Sequence, residues 1–279
     1  MKPSNINQSM TRDGFILIKD RLEVAPILEI YQEHIMVNKK RTPATQTVFN
    51  KYGFYSKEMN PHLQSDKVWN LIHSPKIEEC LMELLKGPIV CINSIFVAKE
   101  PKSNSFLTPH QDNIYWGLRT NGAVSVWIAI TGTNEENGCM QVLPGSHKSP
   151  RYHKQEKHID NILQMGEKCP LDDEEEKMMP IELNPGEFSI HHCQTVHMSN
   201  RNRSNNWRIG LVGRYAELDA LSEEHSASKC YTYMNIDNQH SIYKPDGDFV
   251  LGAEQKRKVF EFNRKYYRVL NNSAARILR

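Results

Sequence analysis

The sequence predicts a mainly β protein with flanking helices, its core an antiparallel β-sandwich or jelly roll. Three observations carry that reading. Apolar, β-rich runs recur at 89–98, 124–131, 139–143, 188–192 and 209–215. Turn-forming pairs such as Asn137-Gly138, Pro144-Gly145 and Pro185-Gly186 punctuate them. Helical spacing is confined to the two ends, so strands follow strands with no alternating helices, which disfavours a parallel α/β sheet.

In chain order, Phe15-Ile16-Leu17-Ile18 reads as a first strand, and 24–36 as a helix with apolar residues at helical intervals. A second helix is predicted over 66–85, with Val68, Leu71, Ile72, Ile77, Leu81 and Leu84 on its apolar side and Gly87-Pro88 ending it. These N-terminal helices, within 10–87, should pack outside a jelly-roll core spanning about 88–216. The run 89–98 is apolar on both faces, as a buried strand should be. The stretch 150–180 is polar, carries the acidic run 172–176, and reads as a lid-like insertion or a solvated loop. A C-terminal helix over 254–270 gathers Val259, Phe262, Tyr266 and Val269 on one face, for packing on the domain rather than on a second copy. One domain, 1–279, is expected.

Composition narrows the function classes. Hydrophobic residues make up 39% of the 279 and charged ones 24%, enough to bury a sizeable core. Thirty-five basic and 33 acidic residues leave a net charge of +2, scattered except near Lys256–Lys258. So even a balance argues against nucleic-acid or membrane partners. The 6 cysteines form no CxxC pair, so reduced thiols are expected. The polar N-terminus lacks an apolar signal core, and no apolar run is long enough to span a bilayer. A cytoplasmic protein, monomer or homodimer, is the expectation.

Chemistry concentrates in two places. His110-Gln-Asp112 lies between strong strand patterns, where residues two apart share a face and can converge on one ion. The chain holds a second such pair, His158-Ile-Asp160, in a polar and possibly helical stretch where i and i+2 diverge, so it is read as a decoy. A further ligand must come from elsewhere, and 186–215 offers His191, His192 and His197. As strand neighbours, His191 and His192 should face opposite ways. His197 is followed by Ser199 at +2 and Arg208 at +11. Two imidazoles and one carboxylate on one side of an ion leave open positions, which suits Fe(II). The planar guanidinium of Arg208 can then hold a distal carboxylate by two parallel hydrogen bonds, with Ser199 adding a third.

At these residues the chain resembles the phytanoyl-CoA dioxygenase-like iron(II)/2-oxoglutarate oxygenases. The likeness rests on HQDNIYWGL from His110, VWIAITGTNEENGCMQVLPGSHK from Val126, the His197–Ser199–Arg208 spacing, and DGFILIKDRL from Asp13. It covers about residues 10–216. The resemblance implies a cupin-like double-stranded β-helix with iron on His110, Asp112 and His197. It places the far carboxylate of 2-oxoglutarate on Arg208 and Ser199, with Trp127 against that cosubstrate. It also implies that O2 is consumed and that succinate and CO2 are released as a C–H bond is oxidised. Some relatives carry Ala or Gly where Asp112 stands and halogenate; retention of the carboxylate implies hydroxylation or a related C–H oxidation.

Other assignments follow from position. Leu107, three residues before His110, is expected to line the site, as are Tyr115 and Trp116 unless they are core aromatics. Asn93, polar within a buried strand, needs a partner: either 2-oxoglutarate or a neighbouring loop. His147 reads as a turn residue. The family's range leaves a small molecule as substrate, amino-acid-like or a natural-product intermediate, free or tethered to a carrier protein. Two alternatives stay open: a cupin-like metalloenzyme that ignores 2-oxoglutarate, and a non-catalytic binding relative.

Overall fold

The computed structural model describes residues 3–36, 57–163, 166–228, 231–233, 245, 247–249 and 251–277. Helix α1 (Pro3–Asp13) leads into strand β1 (Phe15–Ile18), and α2 (Ala25–Tyr31) continues through a wider turn at Gln32–Met36. Helices α3 (Asp66–Ile72) and α4 (Pro75–Leu84) precede β2 (Ile89–Lys99) and β3 (Leu107–His110). A short helix α5 (Asn113–Trp116), then β4 (Ala123–Ala129) and β5 (Met140–Val142), follow. Beyond them come the small strands β6 (Lys154–Gln155), β7 (Glu167–Lys168) and β8 (Met179–Pro180). The chain continues through β9 (Phe188–His192), β10 (His197–Ser199), β11 (Arg208–Glu217), α6 (Glu223–Ser228), β12 (Thr232–Tyr233) and α7 (Ala253–Ile277). Among the described residues one sheet runs β1-β9-β4-β11-β2-β12 and another β3-β10-β5-β8, the mainly β architecture with flanking helices that the strand runs predict.

One predicted helix changes form, and one helix appears that the sequence did not predict. The helix expected over 66–85 is two, α3 and α4, because Pro75 has no N–H to give and forces Ser74 into an extended conformation (φ −67°, ψ 146°). Ser65 caps α3 by accepting the Val68 amide at 3.2 Å. Helix α1 was not expected, since its apolar stripe is only Ile6 and Met10, one turn apart. Gly14 ends it at φ +80°, with its amide bonded to Met10 O at 2.9 Å, and a side chain there would collide with His147 and Thr195.

The chain divides into two compact units. The first comprises Met1–Leu22, Val97–Asp112 and Trp127–Leu211. In it β1 pairs antiparallel with β9, and β10 is flanked by β3 and β5, with His197 opposite both His110 and Val142. The stretch 150–180 is more than a solvated loop. Cys169 and Leu171 join Leu143 and Val196 in a buried cluster, and the Cys169 amide donates to Pro109 O at 2.7 Å. Thr108 Oγ1 donates to Glu167 O at 2.6 Å, so this insertion braces strand β3 just before His110.

The second unit comprises Glu23–Phe96, Asn113–Val126 and Val212–Arg279. Its α7 places Val259, Phe262, Tyr266 and Val269 against Leu63 and Trp69, so the predicted apolar face packs within the chain. Phe262→Ala should therefore cost about 3–5 kcal/mol of stability, read by urea unfolding, and a loss below about 1 kcal/mol would mean that the face is not a core. Tyr215, fully buried, donates its hydroxyl to Ile72 O at 2.7 Å, tying β11 to the end of α3.

Candidate metal and cosubstrate site

The site is built in the first unit. His110, Asp112 and His197 are all buried, and each offers one ligand atom within 4.8 Å of the others. Strand pairing explains the convergence: His110 ends β3, His197 begins β10, and the two are direct partners with ring centroids 4.1 Å apart. Each imidazole is tethered alike. His110 Nδ1 donates to Thr108 O at 2.8 Å and His197 Nδ1 to Thr195 O at 2.9 Å, so each Nε2 keeps its lone pair for an ion. Asp112 stands 3.9 Å from His110 Nε2 and 4.0 Å from His197 Nε2, too long for hydrogen bonds but within the span of two bonds to one metal. Burial, then the neighbouring His110, holds the His197 imidazole well below its ordinary pKa, hence neutral. The donor set therefore fits a divalent transition metal with open positions.

Gln111, between His110 and Asp112, is a residue whose role the sequence did not expose. Its amide donates to His153 Nε2 at 3.0 Å, its side chain donates to Gln194 O at 2.6 Å and Ser149 O at 3.1 Å, and it accepts from the Arg151 amide at 2.9 Å. Burial pushes His153 down to about 4, so it is neutral and its Nε2 can accept. With its amide N–H and both ends of its side chain engaged, Gln111 pins the backbone between His110 and Asp112.

Arg208 opens β11 and is buried to 1% exposure. Its Nη1 reaches Val97 O at 3.4 Å, and its Nη2 reaches Gly138 O at 3.1 Å and Ser199 Oγ at 3.5 Å. Its Nε is buried with no hydrogen-bond partner among the described residues, and burial pulls the guanidinium down to about 10. Trp127 lies alongside, with the guanidinium 5.5 Å from its ring. That approach needs Gly210, because a Cβ there would sit 2.1 Å from the indole. Arg208 and Gly210 share one strand face, so the charge and the gap for the ring are set by the same alternation.

A second cation was not anticipated. Lys99, at the end of β2 and 1% exposed, donates to Ser199 Oγ at 2.7 Å, to Ser199 O at 3.2 Å and to Asn200 O. Burial, then the charge of Arg208, drives its pKa well below the ordinary lysine value. Ser199 Oγ thus accepts from both cations and, among the described residues, donates its own proton to nothing. A buried guanidinium with an Nε–H unused among the described residues, beside a hydroxyl with an undonated proton, could hold a carboxylate. A lysine at the end of an apolar run gives no sequence signal, since only the fold carries it inward.

The other predicted residues are placed as follows. Leu107 is half-buried and pairs with Ser199 across β3 and β10. His191 is buried and His192 half-buried, as alternation requires. His147 lies in a turn against the His192 ring. His158 is exposed, its Nδ1 accepting the Asp160 amide at 3.1 Å, and takes no part in the ligand cluster. Asn93 and Trp116 belong to the second unit. There Asn93 donates to Asn60 Oδ1 at 2.9 Å and accepts from Arg214 at 2.8 Å, so a buried polar partner satisfies it. Trp116 is 1% exposed with the Arg214 guanidinium 5.6 Å from its ring. The side chain of Tyr115 lies outside the described residues.

The family model described as Phytanoyl-CoA dioxygenase (PhyH) matches residues 10–210. The chain is 29% identical over 171 residues to the "Probable alpha-ketoglutarate-dependent hypophosphite dioxygenase" of Stutzerimonas stutzeri, covering 58% of this chain and 57% of that one. It is 25% identical over 224 residues to "Phytanoyl-CoA dioxygenase, peroxisomal" of Rattus norvegicus, covering 74% and 66%. The chain thus spans about three-fifths of the length of these curated relatives. A solved structure described as "non-heme monooxygenase; ThoJ apo" superposes with a TM-score of 0.78 at 20% identity, covering 97% of this chain and 99% of that one, a likeness of fold.

Proposed function

The chain belongs to the phytanoyl-CoA dioxygenase family, and from that membership we propose that it is an iron(II)/2-oxoglutarate-dependent oxygenase acting on a small molecule. The observation that carries the proposal is that β10 presents His197 of the His110–Asp112–His197 cluster and Ser199 of the Arg208–Ser199–Lys99 group on one buried face, two residues apart. Either alone fits many proteins. Together they match a cosubstrate with a metal-chelating 2-oxo acid at one end and a carboxylate at the other.

Iron(II) held there supplies the one-electron chemistry with O2 that side chains lack, coupling 2-oxoglutarate decarboxylation to oxidation of a C–H bond. The remaining work falls to the chain. His110 and His197 present Nε2 lone pairs, and Asp112 supplies the negative charge that favours a divalent ion. Arg208 gives Nε–H, and Ser199 its hydroxyl proton, to the distal carboxylate. Lys99 and Arg208 donate to Ser199 Oγ, which leaves its hydroxyl proton available to the cosubstrate. Trp127 walls the guanidinium from water, and burial strengthens each charge-assisted bond.

Retention of Asp112 favours hydroxylation, in which R–H, O2 and 2-oxoglutarate give R–OH, succinate and CO2. The substrate class we assign is amino-acid-like or a natural-product intermediate, free or carrier-tethered. Hypophosphite and phytanoyl-CoA, named for the two relatives, share no scaffold, which supports substrate divergence around a common metal centre.

Anaerobic addition of Fe(II) and 2-oxoglutarate should produce a visible metal-to-ligand charge-transfer band. Folded, iron-loaded protein that gives no band would overturn the proposal in favour of a metalloenzyme that ignores 2-oxoglutarate.

A further inference from the structure

His191 is a buried histidine beside the ligand cluster that the site as described does not use. Strand alternation in β9 turns it inward at 2% exposure, while His192 stays half-buried. Its ring packs on that of His197 with centroids 4.7 Å apart, and its Nε2 stands 3.7 Å from Asp112 Oδ2. Neither ring nitrogen has a hydrogen-bond partner among the described residues. Unmade hydrogen bonds on a buried imidazole are costly, so the working state must supply an acceptor or an ion.

We propose that His191 is a positioning residue of the metal centre, its Nε2–H holding Asp112 Oδ2 so that the other carboxylate oxygen faces the ion. The inference rests on the iron reading above. Two observations separate it from a role as fourth ligand. The ligand atoms that converge within 4.8 Å are those of His110, Asp112 and His197, and His191 stands outside that group. His110 and His197 are also tethered through Nδ1 to the carbonyls of Thr108 and Thr195, which commits Nε2 to the metal. His191 has no such tether, so its Nε2 is free to carry the proton. A shift of under about 1 Å, as the carboxylate turns one oxygen to the ion, would bring the other within hydrogen-bond range. The carboxylate then binds through one oxygen only, and the positions that the cosubstrate and O2 require stay open.

The test compares His191→Phe, which keeps the ring volume without nitrogen, with His191→Gln, which restores a donor. Co(II) and Fe(II) affinities are measured by chelator competition. His191→Phe should bind about 10- to 100-fold more weakly, the usual effect of losing a ligand's outer hydrogen bond, and His191→Gln should recover most of that. The metal-free unfolding midpoint of His191→Phe should be unchanged or higher, since it removes the unmade bonds; a merely structural histidine would lower it. Electron spin-echo spectroscopy of the Cu(II)-loaded wild-type chain should count two coordinated imidazoles, a measurement that stands even if neither variant folds. Unchanged metal affinity in a folded His191→Phe, or a count of three imidazoles, would overturn the proposal. A wild-type chain that binds no metal at all would instead defeat the iron reading itself.

Discussion

Arg208→Ala should abolish the 2-oxoglutarate charge-transfer band at cosubstrate concentrations that saturate the wild-type chain, while leaving metal affinity intact. Truncating one partner of a buried charge pair costs about 2–5 kcal/mol, or about 30- to several-thousand-fold in Kd. Three features place the loss towards the upper end. Arg208 is 1% exposed, its Nε has no hydrogen-bond partner among the described residues, and the Trp127 ring lies 5.5 Å from its guanidinium. Lys99 remains in the variant, but its Nζ is committed to Ser199 and Asn200 and cannot replace the fork. Arg208→Lys should recover little, because an ammonium lacks both the Nε–H and the Nη bonds to Val97 O and Gly138 O that fix it in place. Titration of the iron-loaded variant with 2-oxoglutarate decides the matter, and a Kd within threefold of wild type would remove Arg208 from the cosubstrate site.

The second large effect contrasts two histidines from the two His-rich regions. His197→Ala should weaken Fe(II) or Co(II) binding by more than about 100-fold, since outer-sphere partners alone are worth about 10- to 100-fold. His158→Ala should leave it unchanged. His197 is buried, with Nδ1 tied to Thr195 O and Nε2 facing Asp112, whereas His158 is exposed and its Nδ1 is occupied by the Asp160 amide. Direct metal titration followed by d–d absorbance of Co(II) distinguishes them. Equal loss in both variants, or in neither, would mean that the His110 pair is not the metal centre.

The decoy shows where sequence legibility stops. Both His-x-Asp pairs are identical as text, and only the flanking β pattern favoured His110. The structure gives the reason: β3 is braced by β10 on one side and by the 150–180 insertion through Thr108 and Cys169 on the other. Likewise Pro75 divided a helix whose apolar periodicity runs on unbroken, because periodicity reports burial and is silent on a missing amide. Helix α1, with two apolar residues on its stripe, lay below what periodicity can register.

Local sequence was sufficient for what depends on neighbours in the chain. Strand alternation and turn pairs predicted the β core and put His110 and Asp112 on one strand face, while the family resemblance singled out His197 and Arg208 from the other candidates. Only the tertiary structure decided what depends on meeting across long separations. Lys99 reaches Ser199 from 100 residues away. Gly210 opens the space for Trp127, and Gln111 closes onto His153 and Gln194. His191 turns towards Asp112 although nothing in its run of text distinguishes it from His192. The physical reason is the same in each case: desolvation and hydrogen-bond satisfaction are properties of a place in the packed molecule, and a side chain acquires them only when distant strands bring that place into being.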